Sequence, residues 1–208
     1  EADCQLGEFD MGWPHLERVL HLACIGLAAE QTGGAQQVLD LSVAYMQERQ
    51  QFGRPIASFQ ALKHRAADMM LQVECARSAC YYAACVAQEA LDPRGDADVA
   101  GELPLAAALA KAQCSETFFH CASESIQLHG GVGFTWEYDP HLYFKRARAS
   151  ESFLGLPAWH RERIAAPIED RPAKQVTVRR IGPALEDRGN DVVGLRGVLV
   201  EPAPPPAG

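Results

Sequence analysis

Residues 48–60 read ERQQFGRPIASFQ and separate two long stretches in which apolar residues recur at helical spacing. Gly53 frees the backbone and Pro55 removes a hydrogen-bond donor, so the segment predicts a loop between two helices. Ser58 has a side chain suited to an N-cap and is predicted to begin the second helix. The fold is therefore expected to consist of long helices joined by short connections.

Upstream of this loop, one face of a predicted helix runs from Trp13-Pro14 to about Gln50. The residues of this face recur every three or four positions: Leu16, Leu20, Ala23, Leu27, Gln31, Gly34, Val38, Leu41 and Tyr45. Gly33-Gly34 interrupts the face, and close packing against another helix is preferred to a kink as its interpretation.

Downstream of the loop, two more long helices are predicted. The second ends near Leu91 and carries a stripe of Phe59, Leu62, Ala66, Met69, Val73, Ala76, Cys80, Ala83 and Ala87. The third begins around Pro104, ends at Gly130-Gly131 and carries a stripe of Ala108, Ala112, Ser115, Phe119, Ala122, Ile126 and His129. Shorter helices are predicted at 139–152 and 157–166, and no stretch before residue 170 alternates like a strand. The pattern predicts an all-α, up-and-down four-helix bundle with short C-terminal helices.

The domain organisation follows from changes in composition along the chain. Residues 1–12 are predicted to be a linker, residues 13–169 the bundle, and residues 170–208 an irregular tail rich in Pro and Gly. Within this tail, residues 176–178 and 192–200 have the composition of two short paired strands. The chain starts at Glu1 rather than Met, which indicates processing or excision from a longer sequence.

Charge and cysteine content exclude several classes of function. The net charge of −8 leaves no basic stripe for nucleic acid, and no apolar run is long enough to span a membrane. The seven cysteines include no C-x-x-C pair and sit mostly in helical segments, which predicts reduced thiols in a cytoplasmic protein. His64 and Asp68 share a helix face but lack further ligands, so no metal site is expected.

Three clusters have side chains suited to a ligand. Arg49 to Ile56 places a guanidinium, suited to phosphate, beside a glycine turn, although a helix C-cap explains the same residues. Phe59-Gln60 offers an aromatic ring and an amide to a planar ligand, although a core position explains Phe59. Gln127 to Phe134 contains glycines that let a backbone approach a ligand, although many helices end in glycine.

Taken together, the clusters resemble the C-terminal domain of the acyl-CoA dehydrogenases. The matching positions are Tyr45, Arg49, Gln51-Phe52-Gly53, Pro55-Ile56, Phe59-Gln60, His64 and Ala67-Asp68-Met69, followed by Gln127-Leu128-His129-Gly130-Gly131, Gly133-Phe134-Thr135, Glu137-Tyr138 and Arg146. The segment from Gly133 to Tyr143 is similar to the members that act in actinobacterial steroid side-chain breakdown.

The resemblance implies a flavoprotein that removes hydrogens from the α and β carbons of an acyl-CoA thioester in fatty acid or steroid degradation. It implies FAD contacts, typically across a subunit boundary, at Arg49, Gln51, Phe52, Ile56, Phe59, Gln60, Gln127, Gly130 and Gly131. It also implies a homo- or hetero-oligomer, a dimer or a tetramer, and an electron-transfer partner. The family's two other domains, one helical and one of β structure, are not in this chain.

The catalytic base is the point at which the sequence departs from the family. Ungapped counting from Gly130-Gly131 places Leu154 where many members have a glutamate, and leucine accepts no proton. Glu151 requires a register shift, and Glu30 and Glu17 do not align with the alternative base position on the first bundle helix. For Glu17 and Glu30, a role as solvated or paired helix carboxylates is the preferred interpretation.

The missing base leaves several functions open. The chain is expected to be a dehydrogenase component whose base comes from a partner. A non-catalytic helical oligomerisation module, or a degenerate fragment of the family, is the alternative. A third hypothesis keeps the fold and changes the reaction to that of an acyl-CoA oxidase or a flavin monooxygenase.

Overall fold

The computed structural model describes residues 7, 8 and 11–169. The helices are α1 (Gly12–Glu48), α2 (Gln60–Leu91), α3 (Ala97–Gly101), α4 (Leu103–His129), α5 (Pro140–Ser152) and α6 (Pro157–Glu169). Two short strands, β1 (Gln50–Gln51) and β2 (Arg54–Pro55), and two 3-10 turns, Ile56–Ser58 and Gly130–Val132, complete the described elements. The predicted all-α class is confirmed, and the short helix α3 is an addition to the prediction.

The loop after α1 is a β-hairpin, so the expectation of no strand before residue 170 was wrong. β1 and β2 pair antiparallel with Gln51 opposite Arg54. Phe52 and Gly53 form the turn, with φ angles of 55° and 76°. Positive φ at both turn residues matches the twist of paired strands. Strands of two residues are too short to show the alternation from which a strand is predicted.

Ser58 does not cap α2, contrary to the prediction. Its Oγ donates to the Pro55 carbonyl at 2.8 Å, and the N-cap of α2 is Phe59, which has no side-chain cap. The 3-10 turn places Ser58 one residue too early, so its hydroxyl satisfies the turn instead of the helix.

Contacts between helices establish the up-and-down arrangement. Hydrogen bonds from Ser115 to Gln31 and from Ser42 to Ser125 show that α1 and α4 run in the same direction. The ion pair between Arg65 and Glu124 belongs to the antiparallel packing of α2 on α4. α5 runs antiparallel to α1 and α4, so α1, α2, α4 and α5 form the four helices of the bundle.

The buried faces of α2 and α4 largely match the predicted stripes, whereas that of α1 does not. Leu16, Leu20 and Ala23 were predicted to face the core, but all three are exposed. The buried residues of α1 are His21, Cys24, Ile25, Ala28, Gln31, Thr32, Ala35, Val38, Leu39, Ser42 and Met46. Several of these are polar and are satisfied by hydrogen bonds across the bundle, a feature that apolar periodicity does not detect.

Gly34 lies at a close helix contact, as predicted for Gly33-Gly34. A Cβ atom on Gly34 would stand 2.6 Å from the ring of Phe118 on α4. Phe118 is itself buried, so the ring fills the space that the missing side chain leaves on α1. α1 continues through this pair without a break.

The core consists of two clusters. The alanine-rich cluster comprises Cys24, Ile25, Ala28, Ala76, Cys80, Ala83, Val86, Ala87, Leu103, Ala106, Ala107, Ala110 and Cys114. The Phe118 cluster comprises Ala35, Val38, Leu39, Met46, Ile56, Met69, Val73, Phe118, Cys121, Ala122, Leu128 and Ala147. The first lies around the N-terminal half of α1 and the second around its C-terminal half.

Some predictions concern residues outside the described part. The tail 170–208, its two predicted strands at 176–178 and 192–200, and Cys4 all lie there. Of the cysteines that the structure describes, Cys24, Cys80, Cys114 and Cys121 are buried, whereas Cys75 and Cys85 are exposed. No helix in the described ranges has the length and apolar character that crossing a bilayer requires.

Candidate functional site

The hairpin after α1 presents several of the predicted flavin-contact residues to solvent. Arg49 ends α1, and its carbonyl accepts the backbone N–H of Ile56 at 2.8 Å, which closes the base of the hairpin. Phe52 is 89% exposed at the tip. Its ring meets that of Phe59 edge-on at 6.1 Å, and the Arg54 guanidinium lies 4.2 Å from the Phe59 ring centre. Arg49 is exposed and so is available to a ligand.

Of the nine residues predicted to contact flavin, Ile56, Gln51 and Gln60 have surroundings that differ from one another. Ile56 is buried in the Phe118 cluster, so it supports the hairpin from below. Gln51 donates from its side chain to the Gln50 carbonyl at 2.8 Å. Gln60 is exposed at the first turn of α2.

The glycine segment lies at the same end of the bundle. Gly130 ends α4 with a φ of 63°, a conformation that glycine adopts without strain. A Cβ atom on Gly131 would meet no described atom within 4 Å, and Gln127 is exposed beside it. A ligand can therefore approach the backbone at Gly131 closely without a rearrangement of the protein.

Tyr45 and His129 join the two segments. Their rings stack with centroids 4.2 Å apart, and the Tyr45 hydroxyl donates to the His129 carbonyl at 3.3 Å. The His129 Nδ1 lies 2.7 Å from the Ser125 carbonyl. Burial lowers the pKa of His129, an effect that the Ser125 contact opposes, so the stacked imidazole is favoured in its neutral form. The structure thus brings together the two motifs that are most distant in sequence.

A cleft lies at the other end of the bundle, between the first turns of α1 and α6. Its volume is about 760 Å³, and Trp13, Leu20 and Trp159 supply much of its wall. Leu154, the residue predicted to stand at the usual position of the base, lines it together with Gly155. Because the Leu154 side chain is apolar, it cannot accept a proton from a ligand in the cleft.

The turn that carries Leu154 has a left-handed backbone. Leu154 has a φ of 61° and Gly155 a φ of 103°. The His160 Nε2 donates to the Leu154 carbonyl at 2.9 Å, and the Lys111 Nζ donates to the Gly155 carbonyl at 3.2 Å. The Lys111 side chain is fully buried and donates also to Ser115 Oγ at 2.7 Å. These two buried side chains hold the turn in a conformation that leucine seldom adopts.

His21 lines the cleft and His160 bonds to the turn that carries Leu154, and the surroundings of both favour the neutral form. Burial first, and Arg163 next, lower the pKa of His21, whereas Glu17 raises it. Burial likewise lowers the pKa of His160, to which Lys111 and Arg163 also contribute. Both imidazoles are therefore favoured in their neutral forms.

The three acids considered as bases lie in different environments. Glu30 pairs with Arg146 at 2.6 Å on the bundle surface, and this hydrogen bond lowers its pKa. Glu151 pairs with Arg148 at 2.5 Å. Glu17 lines the cleft and is the one of the three that faces the same space as Leu154.

Sequence reasoning assigned no role to Arg163, which lines the cleft, or to Lys111 and His160, which hold the turn beside it. The sequence does contain one indication of a role for Lys111, because this lysine stands alone among small and apolar residues, between Ala110 and Ala112. A cation on a buried helix face indicates buried hydrogen-bond acceptors. Arg163 contacts His21 on α1, and His160 bonds to the Leu154 carbonyl. Only the tertiary structure reveals these contacts.

The hairpin end of the bundle and the cleft lie far apart within one chain. The 37 residues of α1 span about 55 Å at the usual rise per residue. Because the cleft involves α1 only as far as Cys24 and the hairpin follows Glu48, the two surfaces are separated by about 35 Å. A single ligand bound in the cleft therefore does not contact the hairpin of the same chain.

Comparison with known proteins identifies the family of this chain. The family model for the acyl-CoA dehydrogenase C-terminal domain matches residues 10–168. Acyl-CoA dehydrogenase IpdE2 of Mycobacterium tuberculosis is 44% identical over 150 residues, which are 72% of this chain and 42% of that protein. The chain thus spans less than half the length of this relative, and the predicted actinobacterial affiliation is confirmed.

Solved structures show the same fold. Butyryl-CoA dehydrogenase from Megasphaera elsdenii superposes with a TM-score of 0.72 at 30% identity, covering 81% of this chain and 42% of that one. A chain of the ChsE4-ChsE5 complex from Mycobacterium tuberculosis superposes with a TM-score of 0.65 at 30% identity, covering 74% and 39%. The chain therefore belongs to the acyl-CoA dehydrogenase family, and residues 10–168 correspond to the C-terminal domain of that family.

Proposed function

We propose that this chain is the flavin-contacting component of an enzyme that removes hydrogens from the α and β carbons of an acyl-CoA thioester. The observation that carries the proposal is the open surface formed by the hairpin and by Gly130-Gly131, joined through Tyr45 and His129. FAD, when bound, accepts the hydride that leaves the β carbon.

The residues at this surface fit FAD. The open space above Gly131 admits a backbone-to-ligand contact that any side chain would obstruct. Arg49 is exposed beside it and is suited to a pyrophosphate, because a guanidinium forms paired hydrogen bonds to phosphate oxygens. Phe52 and Phe59 add aromatic surface for a planar ring.

The separation of about 35 Å between this surface and the cleft indicates that two chains build one active site. In this arrangement the hairpin of one chain reaches the flavin beside the cleft of another. The assembly is a homo- or hetero-oligomer, a dimer or a tetramer, in which a relative of this chain is one candidate partner. Such pairing agrees with the similarity to one component of a two-protein complex.

The chain's own residues leave proton abstraction to the partner. Leu154 lacks a basic atom, Glu30 and Glu151 are held by arginines, and Glu17 stands at the α1 wall of the cleft. We propose that the partner supplies the base and that an electron-transfer protein reoxidises the flavin in the cytoplasm. The acyl group of a steroid or fatty acid degradation intermediate is the proposed substrate.

Flavin retention tests the proposal in the full-length, assembled protein. Gly131→Ala should lower the FAD content on purification, because a methyl group enters the space left for the ligand. Gly33→Ala is the matched control, since a Cβ atom there also meets no described atom within 4 Å and lies far from the proposed flavin. Both variants should unfold at the temperature of the parent protein, apart from a gain in helix propensity at Gly33.

Charge at Arg49 gives an independent test. Arg49→Ala should weaken FAD retention, whereas Arg94→Ala removes the same charge from the turn after α2 and should not. FAD absorbance in the purified assembly, with and without added FAD, measures the effect. FAD content equal to that of the parent protein in all four variants would contradict the proposed contacts of Arg49 and Gly131. Absence of FAD from the parent assembly itself would favour a non-catalytic oligomerisation module.

A further inference from the structure

Arg163 is a cation in the cleft without a carboxylate partner among the described residues. Its Nη2 donates to His21 Nε2 at 3.1 Å, and its guanidinium lies 4.7 Å from the centre of the Trp159 ring. The side chain is half-buried. Its remaining N–H groups have no protein acceptor in the described structure and are not among the buried unpaired atoms there, so they are free to donate to a ligand that enters the cleft.

No acid of the described cleft lining forms an ion pair with Arg163. Glu17 is the one acid among those described lining residues. The neutral His21 accepts a hydrogen bond but brings no negative charge. Leu154 occupies the position at which a carboxylate would otherwise face the cleft.

The walls beside Arg163 limit the kind of anion that fits. Trp13, Leu20, Leu154 and Trp159 make the cleft mainly apolar. A single unpaired guanidinium in apolar surroundings suits one carboxylate at the end of an apolar body. A pyrophosphate carries more charge than this cleft neutralises, because Lys111 is buried and already bonded to Ser115 and to the carbonyls of Glu151 and Gly155.

We propose that the cleft takes an acyl group that ends in a carboxylate, and that Arg163 binds that carboxylate while Trp13 and Trp159 contact the apolar body. The substrate class is then the CoA thioesters of dicarboxylic acids or of ring-derived acids that retain a second carboxyl group. This inference rests on the proposed function and specifies its substrate.

Two thioesters of equal length test it in the full-length, FAD-loaded protein. Octanoyl-CoA and octanedioyl-CoA differ only in the terminal carboxylate, and calorimetry gives the Kd of each. The parent protein should bind octanedioyl-CoA about 30-fold more tightly, the effect of one charge pair in partly desolvated surroundings. Arg163→Met should remove this preference and leave octanoyl-CoA binding unchanged, whereas Arg163→Lys should restore part of it.

Arg161→Met is the matched control. It removes the same charge from the same helix, but Arg161 pairs with Glu116 outside the cleft, so the preference should persist. Equal binding of both thioesters by the parent protein would overturn the inference. An equal loss of both in Arg163→Met would also overturn it, because Arg163 would then bind a phosphate of CoA.

Free octanedioate separates this inference from the proposed function. If neither thioester binds, the proposed acyl-CoA site fails, but octanedioate should still quench tryptophan fluorescence through Trp159. Quenching that Arg163→Met abolishes and octanoate does not reproduce would support the anchoring role of Arg163. No quenching in the parent protein would overturn it.

Discussion

The Lys111 Nζ donates to the Gly155 carbonyl at 3.2 Å from a fully buried position. It also donates to the Glu151 carbonyl at 3.1 Å, in the last turn of α5, where helix carbonyls lack partners of their own. A cation at this end of a helix is stabilised by the helix dipole. One side chain on α4 thus holds both the end of α5 and the turn that carries Leu154.

Lys111→Met should destabilise the protein and change how its stability depends on pH. The carbonyls of Glu151 and Gly155 would lose a donor, at a cost of about 1–3 kcal/mol. Burial lowers the pKa of Lys111 below its ordinary value of 10.5, so below that pH the unfolded chain binds more protons than the folded one. This residue therefore makes the free energy of unfolding rise as the pH approaches 10.5.

Urea unfolding of the parent protein and Lys111→Met at a series of pH values measures this effect. The difference between the two should increase as the pH rises toward 10.5, because the penalty for the buried charge disappears from the parent protein alone. Lys111→Arg keeps the charge but changes the shape and is the control. A difference that does not vary with pH would show that the burial of Lys111 has no electrostatic cost.

Because the thiols of Cys114 and Cys121 are buried, the folded protein should lose stability in strongly alkaline solution. Burial raises the pKa of Cys114 to about 11 and that of Cys121 to about 12. Above pH 9.0, the ordinary value, the unfolded chain releases protons that the folded chain retains. Each thiol then lowers the free energy of unfolding by about 1.4 kcal/mol per pH unit until its folded pKa is reached.

Cys121→Ala should reduce this alkaline slope, whereas Cys75→Ala, at an exposed position on α2, should not. Denaturant unfolding under reducing conditions between pH 8 and about 10 gives both slopes. Identical slopes in the two variants would mean that the Cys121 thiol ionises in the folded protein.

Gly34→Ala should destabilise the bundle by about 1–3 kcal/mol. The added methyl would stand 2.6 Å from the Phe118 ring, which is buried and cannot move freely. Gly33→Ala, one residue earlier with open space for its Cβ, should be neutral or stabilising by up to about 1 kcal/mol. Thermal unfolding of both variants, and of Gly34→Ala combined with Phe118→Leu, tests the contact, since the smaller side chain should restore stability.

Much of the fold was predictable because the apolar stripes of α2 and α4 largely coincide with the faces that are buried. On α1 the buried face contains Gln31, Thr32 and Ser42, whose burial depends on partners in other helices. Gln31 donates to Ser150 Oγ and accepts from Ser115 Oγ, both at 3.1 Å. No local pattern reveals such pairing, so the predicted stripe was displaced toward exposed leucines.

Sequence motifs pointed to the hairpin and to Gly130-Gly131, whose contact with flavin stays a prediction, whereas no motif pointed to the cleft. Arg49, Phe52 and Gly131 lie in two short segments, and the roles of their glycines and arginine can be inferred from the neighbouring sequence alone. The cleft joins α1 to α6 across most of the chain, and the contact between Arg163 and His21 has no signature in sequence. The left-handed backbone of Leu154 was equally hidden, because leucine rarely adopts it.

Phe52→Asn should stabilise the isolated chain while weakening flavin retention. Phe52 has a φ of 55° and its ring is 89% exposed, so the conformation costs energy without core burial in return. Asparagine before Gly53 is favoured in such turns and should raise the free energy of unfolding by about 0.5–1 kcal/mol. A stable variant that retains FAD fully would show that the Phe52 ring has no part in the flavin site.

Leu154→Glu should give this chain a base of its own. The carboxylate would project from the turn that Lys111 and His160 hold. In the FAD-loaded assembly without a base-bearing partner, acyl-CoA dehydrogenation should rise by about 100-fold or more, the usual contribution of a general base. Leu154→Gln has the same shape without a proton acceptor and should remain at the parent rate.

The two core clusters differ in how firmly they resist local opening. Alanine buries far less apolar surface than leucine, methionine or phenylalanine, so the alanine-rich cluster beneath the cleft gains less from burial than the Phe118 cluster. Amide hydrogens in the N-terminal half of α1 should therefore exchange faster than those near Val38 and Met46. The end of the bundle that carries the cleft should then open locally to a large ligand, while the end that carries the hairpin keeps its packing.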